Sequence, residues 1–243
     1  MLEDWRPEDR PLWIGAPQPR LGRTRRLAKA GARVARRAAS SAADLSNKLP
    51  SGVREQIRQS AKEFTKVRSL KGAKSTLIAE TERLFLVVTP MLAAVPLPLT
   101  GAQARIAAGC AAGAGAAVEQ AQELADLVSW GGALPTAPVA FGAMFTAWVV
   151  HLWIALSARV NQLKAAGREV DGDLLGQELA RAYLGDKADR HTNVIRGVAT
   201  KAVEGWLMGL VPGAGIAYDA YTAQRTVVRI LREPVTAHPP AVI

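Results

Sequence analysis

The chain has 243 residues, 49% of them hydrophobic, with a formal net charge of +10 and a pI near 10.2. That length and apolar content are ample for a sizeable core, so size does not limit folding. The single cysteine, Cys110, excludes an internal disulfide and any cysteine-based structural zinc site, and a reducing cytoplasm is its natural compartment.

The charge is unevenly placed. Residues 1–19 carry two basic and four acidic groups, residues 20–74 carry sixteen and three, and residues 75–243 carry thirteen and fourteen. The basic character therefore belongs to one N-terminal stretch, while the body is near neutral.

In chain order, Met1 to Pro7 offers acids and a proline where a secretory signal carries a basic start and an apolar run, so no export signal is expected. Residues 1–19, with Pro7, Pro11, Gly15, Pro17 and Pro19 and the tryptophans Trp5 and Trp13, show no helical or strand period and read as a flexible leader. The run from Arg20 to Arg37 holds eight cations and no acid: Arg20, Arg23, Arg25, Arg26, Lys29, Arg33, Arg36 and Arg37. Leu27, Ala30, Val34 and Ala38 give it a narrow apolar face at helical spacing, so it reads as a basic helical arm. After Pro50, Val53, Ile57, Ala61, Phe64 and Val67 mark one face of a second helix. Arg54, Arg58, Lys62 and Lys66 follow at four-residue spacing on the adjacent face. Like charges so spaced repel by a few tenths of a kcal/mol per pair, roughly, and an external anion would relieve them.

From about Thr76 the chain is rich in alanine and glycine, with no sustained alternation of period two, so an all-α fold follows. Three apolar stretches stand out: Leu84 to Leu99, interrupted by Pro90, Pro96 and Pro98; Ile106 to Val118; and Val139 to Ala158. A turn at Trp130, Gly131, Gly132 and Pro135 separates the second from the third. The polar stretch from Arg159 to His191 contains an amphipathic helix ending at Gly185, and a last helical region, 194–231, is bent or broken around Pro212. From Pro234 the sequence reads as a disordered tail. The expected organisation is a leader and basic arm over 1–44, a close-packed Gly/Ala-rich multi-helix bundle over 45–233, and a tail over 234–243.

Gly205, Gly209 and Gly213 form two overlapping GxxxG steps, and Gly109 and Gly113 form another; glycines four apart leave a groove in which a second helix backbone packs closely. The pattern serves soluble bundles and membrane helix pairs alike. Val139 to Ala158 has the length needed to cross about 30 Å of hydrocarbon. Trp148, His151 and Trp153 lie inside it rather than at an interfacial belt, and His151 would need a buried partner there. A hairpin of Leu84–Leu99 with Val139–Ala158 would keep the arm and the Arg159, Lys164, Arg168 flank on the cytoplasmic side, so an integral two-helix hairpin stands as an alternative.

Catalysis finds little in the sequence. His151, His191 and His238 sit in no nucleophile, zinc-protease or phosphate-loop motif. Asp186, Asp189 and His191, or Asp171 with Asp173, lie in polar loop sequence, which reads as solvated rather than metal-binding. Asp219, in an apolar helix, needs a partner such as Asp126 or Arg225, and a helix–helix hydrogen bond is the plainer role. No catalytic residue, cofactor or metal is assigned.

The order of features over residues 45–232 resembles the EcsC family, helical proteins named from a component encoded beside a bacterial membrane ABC transporter. The resemblance rests on Leu49-Pro50-Ser51-Gly52-Val53, on the Gly/Ala run Ala107 to Val118 followed by Asp126, on Gly167-Arg168-Glu169-Val170-Asp171 leading to Gly185, and on Leu210-Val211-Pro212-Gly213-Ala214-Gly215. It implies a helical bundle working beside a membrane complex and brings no catalytic set with it. The arm lies outside the match, and the apolar turn Trp130 to Pro135 is longer than the family's acidic one. Taken together, these readings point to a non-catalytic protein on the inner face of the plasma membrane. Its basic region would bind anionic lipid or a membrane protein complex, with nucleic acid as the alternative anion and a second copy of the chain as a further partner.

Overall fold

The computed structural model describes residues 44–65, 70–112, 137–209 and 214–241. The chain divides after Arg37, and every described residue belongs to the second unit, Ala38–Ile243. Among the described residues there are eight α-helices and no strand, the all-α bundle that the sequence implies. They are α1 (44–48), α2 (Ser51–Thr65), α3 (Leu70–Ala94), α4 (101–112), α5 (Ala137–Ala165), α6 (Gly172–Leu184), α7 (Val194–Gly209) and α8 (Ala214–Ile230). Short 3₁₀ turns, Gly185–Arg190 and Val235–Ala237, follow α6 and α8.

The bundle is built around α5. Every residue from 151 to 160 is buried, because α2, α3, α6 and α8 all pack against this helix. A helix that is apolar all round belongs in an interior, and the twenty-residue apolar stretch is accounted for by this central position. Among the described residues no helix is long and apolar enough to cross a membrane.

Proline acts differently at its three positions in the Leu84–Leu99 stretch. Pro90 lies inside α3 without ending it. It faces solvent, as does Leu86, whose carbonyl loses its helical donor, so the freed carbonyl is not stranded in the core. Pro96 and Pro98 do end the helix. The extended connector they create is fastened by polar side chains of α5 one turn apart. Trp153 Nε1 donates to Val95 O at 2.8 Å, Ser157 Oγ accepts from Leu97 N–H at 2.9 Å, and Asn161 Nδ2 donates to Leu97 O at 2.7 Å. Thr100 and Gln103 then close a reciprocal capping box that starts α4.

Asp171 caps α6, its Oδ1 accepting from the backbone of Asp173 and Leu174, and Gly185 ends that helix at φ 62°. A Cβ at Gly185 would also meet the Arg229 guanidinium, the movable end of a flexible side chain, so it is the positive φ that calls for glycine. The break anticipated around Pro212 falls on residues 210–213, which lie outside the described residues.

The C-terminal stretch differs from the disordered tail expected from Pro234. Glu169 N–H donates to Pro239 O, Ala241 N–H donates to Gly167 O, and Arg168 Nη1 donates to His238 O. His238 is only 1% exposed. The segment 234–241 lies along the turn after α5, held by backbone hydrogen bonds that leave no hydrophobic period to read.

Candidate functional site

On α2 the sequence pattern becomes geometry. Val53, Ile57 and Ala61 are buried, while Arg54, Arg58 and Lys62 stand exposed on the adjacent face at one-turn intervals. Arg58 pairs with Glu55 at 3.1 Å, but both side chains are more than 60% exposed, so the pair holds the row in place only weakly. Beside the row, between α1, α2 and the start of α5, lies a cleft of about 410 Å³ whose walls include Leu49, Ile57 and Ala61 as well as the three cations. A second cleft, about 370 Å³, lies on the other flank of α1 and is walled by Leu45, Leu99, Ile106 and Ala111 without any cation. Ile106 is 67% exposed there. Lys66 and the arm residues Arg20, Arg23, Arg25, Arg26, Lys29, Arg33, Arg36 and Arg37 lie outside the described residues.

Of the packing glycines, Gly109 in α4 meets α8 so closely that a Cβ would collide with the Gln224 side chain. Ala104, Ala108 and Ala111 are buried on the same helix. Gly205 is buried in α7 and Gly209 is its last residue, while Gly113, Gly213 and Asp126 lie outside the described residues.

Two clusters of polar side chains lie in the interior, and of the buried groups in them the sequence pointed to His151 alone. Arg159 is fully buried and faces Glu178 of α6 in a bidentate pair, Nε to Oε2 at 2.8 Å and Nη2 to Oε1 at 2.7 Å. Its remaining donors reach Gln162 Oε1, Glu233 O and Pro234 O. His238 Nε2 stands 3.3 Å from Glu178 Oε1, close enough for electrostatic attraction but without hydrogen-bond alignment. The Asp171 N–H points at His238 Nδ1 from 3.5 Å. The cluster joins α5, α6 and the C-terminal segment. Its one legible signal was Glu178, an acid on the Leu175, Leu179 and Ala182 face of α6.

The second group surrounds Tyr183. His151 packs against its ring at 5.9 Å, is 5% exposed, and has no partner for Nε2. Burial lowers the His151 pKa to about 4, the Lys201 charge acting in the same direction and a hydrogen bond with the Ala223 backbone opposing it. A neutral ring needs no counter-ion, which answers the buried histidine noted from sequence. Lys201 donates to Tyr183 O at the end of α6 and lies 5.1 Å from the centre of its ring. Burial and the charges of Arg229, Lys187 and Arg225 lower its pKa to about 8, against a smaller opposing pull from Asp186. Asp186 itself pairs with Arg229 at 3.2 Å, and Arg225 donates to the Tyr221 hydroxyl at 2.6 Å. Among the described residues no three His, Cys, Asp or Glu side chains stand where they could share a metal ion. Comparison of the chain with protein-family models, with curated proteins and with solved structures finds no match.

Proposed function

We propose that this chain is a peripheral membrane protein that acts by binding, not by catalysis, and docks on anionic lipid at the inner face of the plasma membrane. The observation that carries this reading is the row Arg54, Arg58 and Lys62, fixed in one direction because the adjacent Val53, Ile57 and Ala61 face of α2 is locked into the core. A rigid row gives a lipid surface a defined orientation, whereas the arm from Arg20 to Arg37 would supply attraction without direction. Nucleic acid presents the same negative charge, but the apolar cleft beside α1 where Ile106 stands exposed favours a partner with acyl chains. The resemblance of residues 45–232 to the EcsC family supports a place beside a membrane complex, and we offer that membership as part of the same proposal.

The test is the variant Arg54→Gln/Arg58→Gln/Lys62→Gln titrated with phosphatidylglycerol vesicles. Each cation near an anionic leaflet contributes on the order of 1 kcal/mol, so the triple change should weaken partitioning by about two orders of magnitude. A change of less than about threefold would remove the row from the interface.

A further inference from the structure

We propose that Lys201 is a site of covalent acylation by acyl phosphates, its amine attacking the acyl carbon while the guanidinium groups of Arg225 and Arg229 hold the phosphate. The inference is independent of the lipid-surface reading.

The site lies at the last turn of α6, where α7 and α8 pack against it. Lys201 of α7 donates to Tyr183 O and lies against the Tyr183 ring, which leaves the residue half-buried. Two residues further on, the Arg229 guanidinium of α8 lies over Gly185 and pairs with Asp186. Arg225 stands exposed one turn before Arg229, bonded to the neutral Tyr221 hydroxyl, and Lys187 follows Asp186 in the 3₁₀ turn. Four cations thus gather around one carboxylate, which is almost wholly exposed and screened by solvent. The C-terminus of α6 contributes about half a negative charge, a fraction of the excess. His151 of α5, which also faces Lys201, is neutral above about pH 4 and adds nothing to the balance.

The excess acts twice. Burial and the three neighbouring cations lower the Lys201 pKa to about 8, so near neutral pH a sizeable fraction of the amine is the uncharged nucleophile. The same cations attract a phosphate ester or anhydride, and the forked donors of Arg225 and Arg229 suit its oxygens. In the reaction the Lys201 nitrogen lone pair forms a bond to the acyl carbon. The bond from that carbon to the phosphate oxygen breaks, its electron pair leaves with inorganic phosphate, and the nitrogen releases a proton to water. The amide product keeps an N–H for Tyr183 O and no longer carries the charge that Arg229, Lys187 and Arg225 repel.

The test treats full-length protein near neutral pH with acetyl phosphate and, in parallel, with the uncharged acetyl ester of N-hydroxysuccinimide. Peptide mass spectrometry then follows acetylation at Lys201 and at the exposed Lys74 and Lys164. With acetyl phosphate, Lys201 should outpace both exposed lysines by about tenfold, the larger neutral fraction being partly offset by a weaker nucleophile. Inorganic phosphate should slow that reaction at Lys201 and leave the ester reaction unchanged. Arg225→Gln, a change at an exposed position, should lower the rate with acetyl phosphate relative to the rate with the ester by about threefold or more. Taking the ratio cancels the effect of the variant on the amine's own charge, which both reagents feel alike. Acetylation of Lys201 no faster than that of Lys74 and Lys164 overturns the site. A reaction indifferent to inorganic phosphate, or an unchanged ratio in Arg225→Gln, overturns the holding of phosphate and the proposal with it.

Discussion

Replacing Glu178 with glutamine keeps the side-chain volume and removes the one carboxylate that faces Arg159. Arg159 is fully buried, and two of its five hydrogen bonds, at 2.7 and 2.8 Å, end on that carboxylate. The other three, to Gln162, Glu233 and Pro234, end on neutral oxygens that orient the guanidinium without balancing its charge. Breaking a buried pair from one side costs about 3–5 kcal/mol, since an uncompensated charge stays in a low-dielectric interior. Against a total stability of about 5–15 kcal/mol for a protein, that is a large fraction. Replacing both partners together, as in Arg159→Met/Glu178→Leu, removes the charge problem and should lose far less than the two single changes summed. Urea unfolding followed by helical circular dichroism compares wild type with Glu178→Gln, Arg159→Met, Glu178→Leu and the double variant. Limited proteolysis should also show the segment 234–241 released in Glu178→Gln, because Arg159 joins it to α6. A loss below about 1 kcal/mol in Glu178→Gln, or strict additivity in the double variant, would refute the reasoning.

The His151 pKa is lowered in the folded state, so the unfolded chain takes up the proton first and stability falls as pH drops from about 6.5 toward 4. About 3 kcal/mol is at stake across that window, and His151→Leu should flatten the pH dependence of the urea midpoint; an unchanged slope would contradict the assignment. Lys201, lowered to about 8, should show a midpoint near that pH in its rate of acylation followed by mass spectrometry, and a midpoint near 10.5 would contradict it. Gly185→Ala should lose about 1–3 kcal/mol in urea unfolding from its positive-φ backbone alone. It should also displace Arg229 from Asp186. A neutral result would mean that the α6 end is not held as described.

What the sequence disclosed depended on whether the signal was local. The α2 faces and the Gly185 stop each arise within one or two turns, where side-chain period and backbone preference act directly. The apolar run in α5 was visible, but a helix buried by protein and one buried by lipid share the same composition, and only its neighbours separate them. Arg159 read as the charged flank of that run and instead lies at its core, because Glu178 and the carbonyls of Glu233 and Pro234 come from distant parts of the chain. The C-terminal segment escaped notice for a related reason. Its contacts are backbone to backbone, and a stretch with Pro234, Pro239 and Pro240 looks unstructured until the turn after α5 supplies donors and acceptors. Pro90 shows the converse, a strong breaker tolerated because its orphaned carbonyl faces solvent.

The central claim is that this bundle docks on anionic lipid through a face it holds rigid. Flotation of the full-length chain with phosphatidylcholine vesicles, with and without phosphatidylglycerol, tests it most directly. The account predicts recovery with the anionic vesicles alone, falling as salt rises and weakened by about two orders of magnitude in Arg54→Gln/Arg58→Gln/Lys62→Gln. Equal recovery with both kinds of vesicle, or undiminished recovery of the triple variant, would contradict it.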